Sequence, residues 1–577
     1  MTGPIMKLLL LFSFIISVWS IDVPLSVPGF GNILGKTGKS YLKDETFYSF
    51  RGIRYAKAPT SETRFLPPVP ADPLPDGEVF DARKSGPQCN QLGVGEEDCL
   101  LLNVYSRMLP NETHPSPNLP VMVFIHGGAF FIGQTYIYTP YAFMDTEVVL
   151  VTIQYRLGPL GFLSLDVADM PGNAGIYDMI ESLRWVQKHI ASFGGNPDDV
   201  TIFGESAGGA SVGLLLLCQQ ARGLFRNAIA QSGSALLDWA YDPDPVTDTL
   251  IIAERVNCTS ELPDEIIRCL RNVDADALTL AYLQYAREEL NAGRTPFGGT
   301  SPVVQKAGSD PLITESPRTL MERGEFLTDV NVIFGANKHE GTFITGVIYE
   351  GYLAPNNLVN DTEYLKRECF YEILNALTGT FPTDQEVDDV ITTYFNGLEM
   401  GNFTSMVPGF VDMGSTIFFK QGALDSARYY SRYNPNTYMY AFNYYGRLSI
   451  FSFLYGNHPF IPRGVSHGDD LVYLFQFTSI FNETEEHMTE RMIQLWTNFG
   501  IYGNPTPDGV PVFPDIPKWL PFNEQTQHYL EIDNEFVMRL NYEDTFTVAV
   551  DEGFGTLTES DQFYEENLIP VKSYLRN

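Results

Sequence analysis

The chain has 577 residues, of which 44% are hydrophobic, 13% aromatic and 19% charged, a composition typical of folded globular proteins. Lys and Arg number 37 against 71 Asp and Glu, and the net charge of −34 would repel a phosphate backbone, which excludes nucleic-acid binding. We interpret this negative charge as a feature that keeps the protein soluble outside the cell. The alternative is that it attracts a cationic substrate. The length allows about three or four average domains, or one large α/β domain.

The first 20 residues have the pattern of a secretory signal peptide. An apolar run follows Lys7 and is shorter than the roughly 20 residues that a membrane-spanning helix needs. We therefore expect cleavage near Ser20, with a retained anchor as the alternative. No other stretch is long and apolar enough to be a membrane anchor, and the polar segment 572–577 carries neither a retention signal nor a lipid-anchor tail. The predicted location is secreted and extracellular.

Sequons and cysteines agree with secretion. Five N-x-Ser/Thr sequons are candidate glycosylation sites: Asn111, Asn257, Asn360, Asn402 and Asn482. Six cysteines include two close pairs that could close short surface loops, Cys89 with Cys99 and Cys258 with Cys269. We expect the other two, Cys218 and Cys369, to be free thiols, with a bridge between them as the alternative. No C-x-x-C motif occurs, so nothing supports a thiolate zinc site.

Strand and helix patterns alternate along the chain. Continuously apolar runs predict strands covered on both faces, as in a parallel sheet, over 121–125, 148–153, 200–203, 228–230 and 330–334. Apolar residues at helical spacing predict helices over 177–193 and 206–217. Proline-rich segments predict loops over 66–75 and 110–120. This alternation indicates an α/β fold, and because no linker divides the chain we expect one domain over 21–577.

A candidate nucleophile lies where one predicted strand meets a helix. The motif Gly204-Glu-Ser206-Ala-Gly208 in this setting is the nucleophile elbow of α/β-hydrolases. Such a turn exposes the serine hydroxyl at a helix N-terminus, where the helix dipole favours developing negative charge. The same five-residue pattern recurs around Ser466, but there it follows a loop and not a strand. The context therefore selects Ser206.

The order Ser, acid, His expected for this fold leaves a short set of candidate bases. The histidines after Ser206 are His339, His458, His467, His487 and His528. His467 is the predicted base, because a loop histidine between glycine-flanked turns can reach a site at the edge of a sheet. His487 lies in an acidic run typical of a solvated face. The candidate acid is Glu340, which follows a predicted strand, with an ordinary surface carboxylate as the alternative.

A glycine-rich loop follows the predicted strand 121–125. Its sequence, His126-Gly-Gly-Ala-Phe, matches loops whose backbone N–H groups stabilise an oxyanion beside the nucleophile. Small side chains let a carbonyl oxygen approach those groups. We expect the donors to be the N–H groups of Gly128, Ala129 and Ala207.

Together these segments resemble the type-B carboxylesterase/lipase family, which includes cholinesterases and insect juvenile hormone esterases. The resemblance spans nearly the whole chain and also includes 50–56, 97–105, 155–158, 173–175, 193–197 and 231–234. It implies an α/β-hydrolase fold with a large, mostly parallel central sheet flanked by helices. The residues it implies are a Ser206–His467–Glu340 triad, disulfides Cys89–Cys99 and Cys258–Cys269, and Glu205, Trp239 and Ser232 in the acyl pocket or beside the triad.

The expected function is that of a secreted serine carboxylesterase acting on a small, apolar ester through an acyl-enzyme, with no cofactor or metal. A cholinesterase is disfavoured, because the segment between Cys89 and Cys99 lacks the tryptophan that stacks on choline in those enzymes. Insect juvenile hormone esterases typically have Gln where this chain has Glu205. This difference argues against a juvenile hormone esterase without excluding it. Triacylglycerol lipase and a non-enzymatic adhesion protein remain as alternatives. Family adhesion proteins have lost the triad, whereas all three positions are present here.

Overall fold

The computed structural model describes residues 20–294, 299–477 and 481–554. The predicted signal peptide, apart from Ser20, and the segment 572–577 lie outside the described residues. The strands are β1 (Asp22–Val27), β2 (Gly31–Lys39), β3 (Thr46–Arg54), β4 (Val79–Asp81), β5 (Leu101–Ser106), β6 (Leu119–Ile125), β7 (Val149–Ile153), β8 (Ser164–Val167), β9 (Met170–Pro171), β10 (Gly195–Glu205), β11 (Asn227–Gln231), β12 (Asn331–Asn337), β13 (Thr437–Phe442), β14 (Tyr529–Ile532) and β15 (Phe536–Arg539).

The α-helices lie between and after the strands. They are α1 (Gly158–Phe162), α2 (Ala174–His189), α3 (Ala207–Leu217), α4 (Pro245–Arg255), α5 (Pro263–Leu270), α6 (Ala275–Asn291), α7 (Pro317–Glu322), α8 (Gly341–Ile348), α9 (Cys369–Thr378), α10 (Asp384–Tyr394), α11 (Phe403–Ser415), α12 (Gln421–Ser431), α13 (Ile450–Tyr455), α14 (Leu471–Phe475), α15 (Glu483–Tyr502) and α16 (Val548–Asp551). Three π-helical turns occur at Tyr349–Leu353, Tyr364–Glu368 and Thr416–Lys420.

A 13-stranded sheet forms the centre of the molecule. Its order is β1-β2-β3-β5-β7-β6-β10-β11-β12-β13-β14-β15, with β4 beside β2. Neighbouring strands from β7 to β14 are parallel, whereas the strands before β7 in this order and the final β15 pair antiparallel, apart from the parallel β4. The expected large, mostly parallel sheet is confirmed.

Helices cover both faces of the parallel strands, which is why those strands are apolar throughout. In β6, Val121, Val123 and Ile125 join a core with α2 and α3. The alternate residues Met122 and Phe124 join a second core with α15. This two-sided burial fixes the register of the sheet, since a slip by one residue would exchange the two faces.

The predicted strands and helices correspond to β6, β7, β10, β11, β12, α2 and α3, with shifts of a few residues at their ends. Cys89 and Cys99 form one disulfide, Cys258 and Cys269 form the other, and Cys218 and Cys369 are buried free thiols. These three cysteine predictions are confirmed. Among the residues that the structure describes, no helix has the length and apolarity needed to cross a membrane.

Candidate active site

Ser206 lies in the sharp turn between β10 and α3. Its backbone has φ 59° and ψ −125°, a strained conformation for a non-glycine residue. The turn is held by the Ser206 N–H, which donates to the carbonyl of Gln231 at 2.9 Å. A Cβ at Gly208 would lie 2.1 Å from the carbonyl oxygen of Ile125, so the turn requires glycine there. The segment thus has the strand–turn–helix geometry that the motif predicts, with a partly exposed serine at its tip.

His467 and Glu340 meet although 127 residues separate them in the chain. The Nδ1 atom of His467 lies 2.7 Å from Oε2 of Glu340, and the Glu340 side chain is fully buried. Glu340 comes directly before α8, so it lies at the start of a helix that follows β12. The alternative that Glu340 is a surface carboxylate is wrong.

Two further donors fix the other oxygen of Glu340. The Ser232 hydroxyl donates to Oε1 at 2.5 Å, and the Asn337 backbone N–H donates to the same atom at 2.6 Å. Ser232 follows β11 and Asn337 ends β12, so the carboxylate is fixed by the carboxyl ends of neighbouring parallel strands. Ligand sites of open α/β sheets form at these strand ends.

Glu205 occupies the other side of the His467 ring. Its Oε1 atom lies 3.2 Å from Nε2 of His467, so each ring nitrogen faces a carboxylate. Among the described hydrogen bonds, none joins the Ser206 hydroxyl to His467. A Cβ at Gly127 would lie 3.0 Å from Oε2 of Glu205, and one at Gly468 would lie 3.5 Å from Oε1, so glycines border the Glu205 carboxylate on two sides.

The surroundings of His467 change its protonation. Burial alone lowers the pKa of the His467 imidazole, but the negative charges of Glu205, Glu340 and Asp470 outweigh burial and raise the pKa to about 9. Burial raises the pKa of Glu205 to about 8, against the opposing attraction of His467. Where His467 titrates, near pH 9, Glu205 is ionised and is the nearest carboxylate to Nε2, so it stabilises the proton on that nitrogen.

The glycine-rich loop packs directly against the serine. A Cβ at Gly127 would lie 2.9 Å from Cβ of Ser206, and Gly128 and Ala129 have left-handed backbones with φ 115° and 52°. No described hydrogen bond uses the N–H groups of Gly128, Ala129 or Ala207. Among the described residues these three N–H groups therefore have no hydrogen-bond partner, and Gly127 of the same loop packs on Ser206.

Aromatic rings surround the polar centre. The rings of Phe343 and Phe419 lie 5.3 and 4.4 Å from the His467 ring, measured between centroids. Trp239 is buried between Phe130 and the π-helical turn Thr416–Lys420, and its Nε1 donates to the carbonyl of Phe418 at 2.9 Å. The site therefore combines a few charged groups with apolar walls, as small-molecule sites generally do.

The sequence profile of the carboxylesterase family matches residues 20–548. The chain belongs to the carboxylesterase family. Curated relatives include esterase FE4 of Myzus persicae, 31% identical over 90% of this chain and 91% of the relative. Juvenile hormone esterase of Tribolium castaneum is 32% identical over 84% of both chains, and venom carboxylesterase-6 of Apis mellifera is 32% identical over 92% of this chain and 96% of the relative.

A solved structure has the same fold. The crystal structure of juvenile hormone esterase from Manduca sexta, with OTFP covalently attached, matches with a TM-score of 0.75 and 26% identity over 92% of this chain and 99% of that one. The fold of this carboxylesterase is therefore the α/β-hydrolase fold, as the sequence predicted. With esterases among its relatives and in its family, the protein is a carboxylic ester hydrolase.

Sequence reasoning missed a buried polar network behind the His467 loop of this carboxylesterase. Asp470 accepts hydrogen bonds from Gln231 Nε2 at 2.7 Å and from the Tyr440 hydroxyl at 3.1 Å, and Trp496 donates to Gln231 at 3.1 Å. The only sequence signal was the pair Asp469-Asp470 directly after His467-Gly468. The network ties the histidine loop to β11, β13 and α15.

The other candidate bases lie away from Ser206 or serve the backbone. His339 is buried, and its Nδ1 accepts the N–H of Val465 at 3.1 Å. His458 is buried and accepts the N–H of Ile461. His487 is exposed on α15, as predicted. The second serine motif forms no elbow, because Ser466 lies in a loop and its hydroxyl accepts a hydrogen bond from Thr342 at 2.7 Å.

All five sequon asparagines are exposed. Two of them also begin helices: the side chain of Asn402 accepts the N–H of Ser405 at the start of α11, and that of Asn482 accepts the N–H of Glu485 at the start of α15. Surface exposure is a requirement for a glycan in the folded protein.

Proposed function

We propose that this carboxylesterase is a secreted serine hydrolase in which Ser206 is the nucleophile, His467 the general base and Glu340 the acid that orients the histidine. The observation that carries the proposal is the 2.7 Å contact between His467 Nδ1 and Glu340 beside the strained serine turn. A nucleophile, a base and an orienting acid, drawn from three separate segments, form the arrangement used for acyl transfer.

The proposed reaction passes through an acyl-enzyme. As Oγ of Ser206 attacks the ester carbonyl, its proton moves to Nε2 of His467, and Glu340 stabilises the imidazolium through Nδ1–H. His467 then gives that proton to the departing alcohol. Water enters, loses a proton to Nε2 and attacks the acyl carbonyl, which releases the acid and restores Ser206. In each half-reaction the carbonyl oxygen becomes negatively charged.

The N–H groups of Gly128, Ala129 and Ala207 are the proposed donors to this oxyanion. Each such donor is typically worth about 3 kcal/mol in the transition state, because it is aimed at the developing charge before the reaction begins. Their lack of other hydrogen bonds among the described residues supports this role.

The proposed substrate is a small, apolar ester. The rings of Phe343 and Phe419 lie against His467, and the buried Trp239 lies against Phe419, so they offer apolar surface beside the histidine. The nearby carboxylates Glu205 and Glu340 are engaged with the histidine. We assign Trp239 to the acyl pocket. Ser232 and Glu205 are assigned positions around the triad, Ser232 on Glu340 and Glu205 on His467.

Secretion, a signal peptide over 1–20 and one domain over 21–577 complete the proposal. Both disulfides fit an oxidising compartment, and one relative is named for venom. A single sheet that takes strands from Asp22 to Arg539 supports one domain. Glycosylation at Asn111, Asn257, Asn360, Asn402 and Asn482 is proposed on the basis of exposed sequons.

The decisive experiment compares ester hydrolysis and covalent labelling in three proteins: wild type, Ser206→Ala and Ser466→Ala. Hydrolysis of a short chromogenic acyl ester should fall at least about 10⁴-fold in Ser206→Ala, because the nucleophile is lost while binding groups remain. A fluorophosphonate should add its mass to the wild type and not to Ser206→Ala, and peptide mapping should find the adduct on Ser206.

Ser466→Ala is the matched control, because it lies in the second glycine-serine-glycine motif. It should retain fluorophosphonate labelling at Ser206, and circular dichroism should match that of the wild type for both variants. Equal hydrolysis by wild type and Ser206→Ala would overturn the proposed nucleophile. No hydrolysis of any ester in a panel of acyl and alcohol chain lengths by a folded wild type would overturn the proposed substrate class.

A further inference from the structure

A polar groove with two sequons in its walls lies on the surface near α11. It has a volume of about 570 Å³ and is lined by residues of 349–362 and 399–404 together with Phe460. Asn360 and Asn402, the acceptor residues of two sequons, both line it, as do their sequon threonines Thr362 and Thr404.

The residue before the Asn402 sequon packs on the Asn360 sequon. Gly401 has φ 87°, and a Cβ there would lie 2.7 Å from Cγ2 and 2.8 Å from the carbonyl oxygen of Thr362. Glycine at 401 therefore lets the backbone that leads into Asn402 approach Thr362 closely. A sugar attached to either asparagine starts at the groove and has the other sequon as its neighbour.

The groove also has an exposed aromatic wall. Phe460 is 39% exposed, and its ring lies 5.7 Å from that of Tyr349, which in turn lies 5.3 Å from the ring of Phe403. Rings of this kind present an apolar face against which the C–H face of a sugar can pack. Polar side chains that line the same groove, among them Asn357 and Glu399, offer hydrogen-bonding groups for sugar hydroxyls.

We propose that N-linked glycans on Asn360 and Asn402 occupy this groove and that a core sugar packs on Phe460. The inference rests on the proposed secretion, since only a secreted chain meets the glycosylation machinery. It explains why an aromatic side chain is exposed in a polar groove: the covalently attached sugar covers it. The occupant is part of the protein itself and is fixed by its attachment points.

The test uses the full chain secreted from eukaryotic cells and glycopeptide mass spectrometry after timed digestion of the folded protein with an endoglycosidase. Glycans at Asn360 and Asn402 should be present and released about tenfold more slowly than the glycan at Asn111, because release requires the sugar to leave the groove. Asn111 is the internal reference, since its loop lies outside the groove. After unfolding, all three should be released at the same rate.

Substitutions distinguish the effect of the glycan from the effect of the side chains that line the groove. Phe460→Ala should bring release at one or both groove sites to the rate at Asn111, Phe460→Tyr should keep the slow rate, and Phe381→Ala, which removes an exposed phenylalanine elsewhere, should change nothing. Thr404→Val should abolish the glycan on Asn402 while leaving its side chain free to begin α11, and Thr404→Ser should keep the glycan. Unchanged ester hydrolysis reports that each variant is folded.

Three results would overturn the proposal. A glycan at Asn111 with none at Asn360 and Asn402 would overturn it without affecting the proposed ester hydrolysis. So would equally fast release at all three sites in the folded protein, or slow release that Phe460→Ala does not change. A secreted chain without glycan at any sequon would overturn this proposal together with the proposed glycosylation, while secretion and hydrolysis by Ser206 would stand.

Discussion

At the scale of single residues, two requirements on the Nε2 atom of His467 oppose each other. Nε2 must be free of its proton to accept one from Ser206, yet Glu205 lies 3.2 Å from that nitrogen and stabilises the protonated form. With the pKa of His467 raised to about 9, the fraction of neutral imidazole in the resting site grows as the pH rises towards 9. Hydrolysis should therefore increase with pH across the neutral range.

Replacing Glu205 tests this competition. Glu205 is negatively charged above its own pKa of about 8, which includes the range near pH 9 where His467 titrates. Glu205→Gln removes this charge beside Nε2, so the pKa of His467 falls and the acidic limb of the kcat/KM profile moves to lower pH by about 1 unit. Measurement of kcat/KM from pH 5 to 10 on a neutral ester checks it. Glu181→Gln, which removes a buried carboxylate without contact to His467, should leave the profile in place. A shift to higher pH in Glu205→Gln would contradict the argument.

At the scale of elements, the position of Glu340 depends on how closely α8 and α11 pack. A Cβ at Gly341 would lie 2.0 Å from the carbonyl oxygen of Val411 and 2.6 Å from the backbone nitrogen of Ser415. The Gly341 N–H donates to the Ser415 hydroxyl at 2.8 Å, which fixes the start of α8. The helices thus approach backbone to backbone directly beside the acid.

Gly341→Ala should force these helices apart. We expect a loss of about 2 kcal/mol in stability or more, because backbone must shift to admit the methyl group, and a fall in kcat as Glu340 moves away from His467. Gly500→Ala is the matched control, since a Cβ at that helical glycine would meet Thr201 Oγ1 at an ordinary 3.4 Å. Thermal unfolding and kcat measure both effects. Equal behaviour of the two variants would contradict the close-packing argument.

The same elements show what sequence could predict. Strands β6, β7, β10, β11 and β12 are buried on both faces, so their apolar runs were visible. The antiparallel strand β2 could not be predicted, because it contains three glycines and two lysines. Helix α11 could not be predicted either, because Pro408 and Gly409 argue against a helix. Tertiary packing overrides local preference in both.

The candidate site divides in the same way. Ser206, Glu340 and His467 carry local signals, a turn motif or flanking glycines, and were predicted. Gln231 and Trp496 were not predicted, since Gln231 donates to Asp470 across 239 positions and Trp496 donates to Gln231 across 265 positions, and no local pattern encodes such contacts. The π-helical turn that brings Phe419 to His467 is likewise a product of packing.

At the scale of the whole molecule, residues 545–554 pack against segments that support the site. Asp412 of α11 accepts the N–H groups of Ala549 and Val550, and the buried Lys420 donates to the carbonyl of Thr545. Lys338 pairs with Glu552 at 2.7 Å. These contacts join residues 545–552 to segments that lead to Glu340 or pack beside it, and Ala549, Val550 and Glu552 lie beyond residue 548, where the family match ends.

Phe554 completes this closure and gives the final prediction. Its ring stacks on His339 at 4.4 Å, and a Cβ at Gly464, in the loop that leads to His467, would lie 3.0 Å from Cζ of Phe554. An aromatic pair is worth roughly 1 kcal/mol, so Phe554→Ala should raise hydrogen exchange in peptides covering 464–470 about fivefold. Because this loop carries His467 and no proposed substrate contact is lost, kcat should fall while KM stays constant. Phe554→Tyr, which keeps the ring, should behave as the wild type. Exchange in 464–470 that Phe554→Ala leaves unchanged would show that Phe554 does not hold the loop.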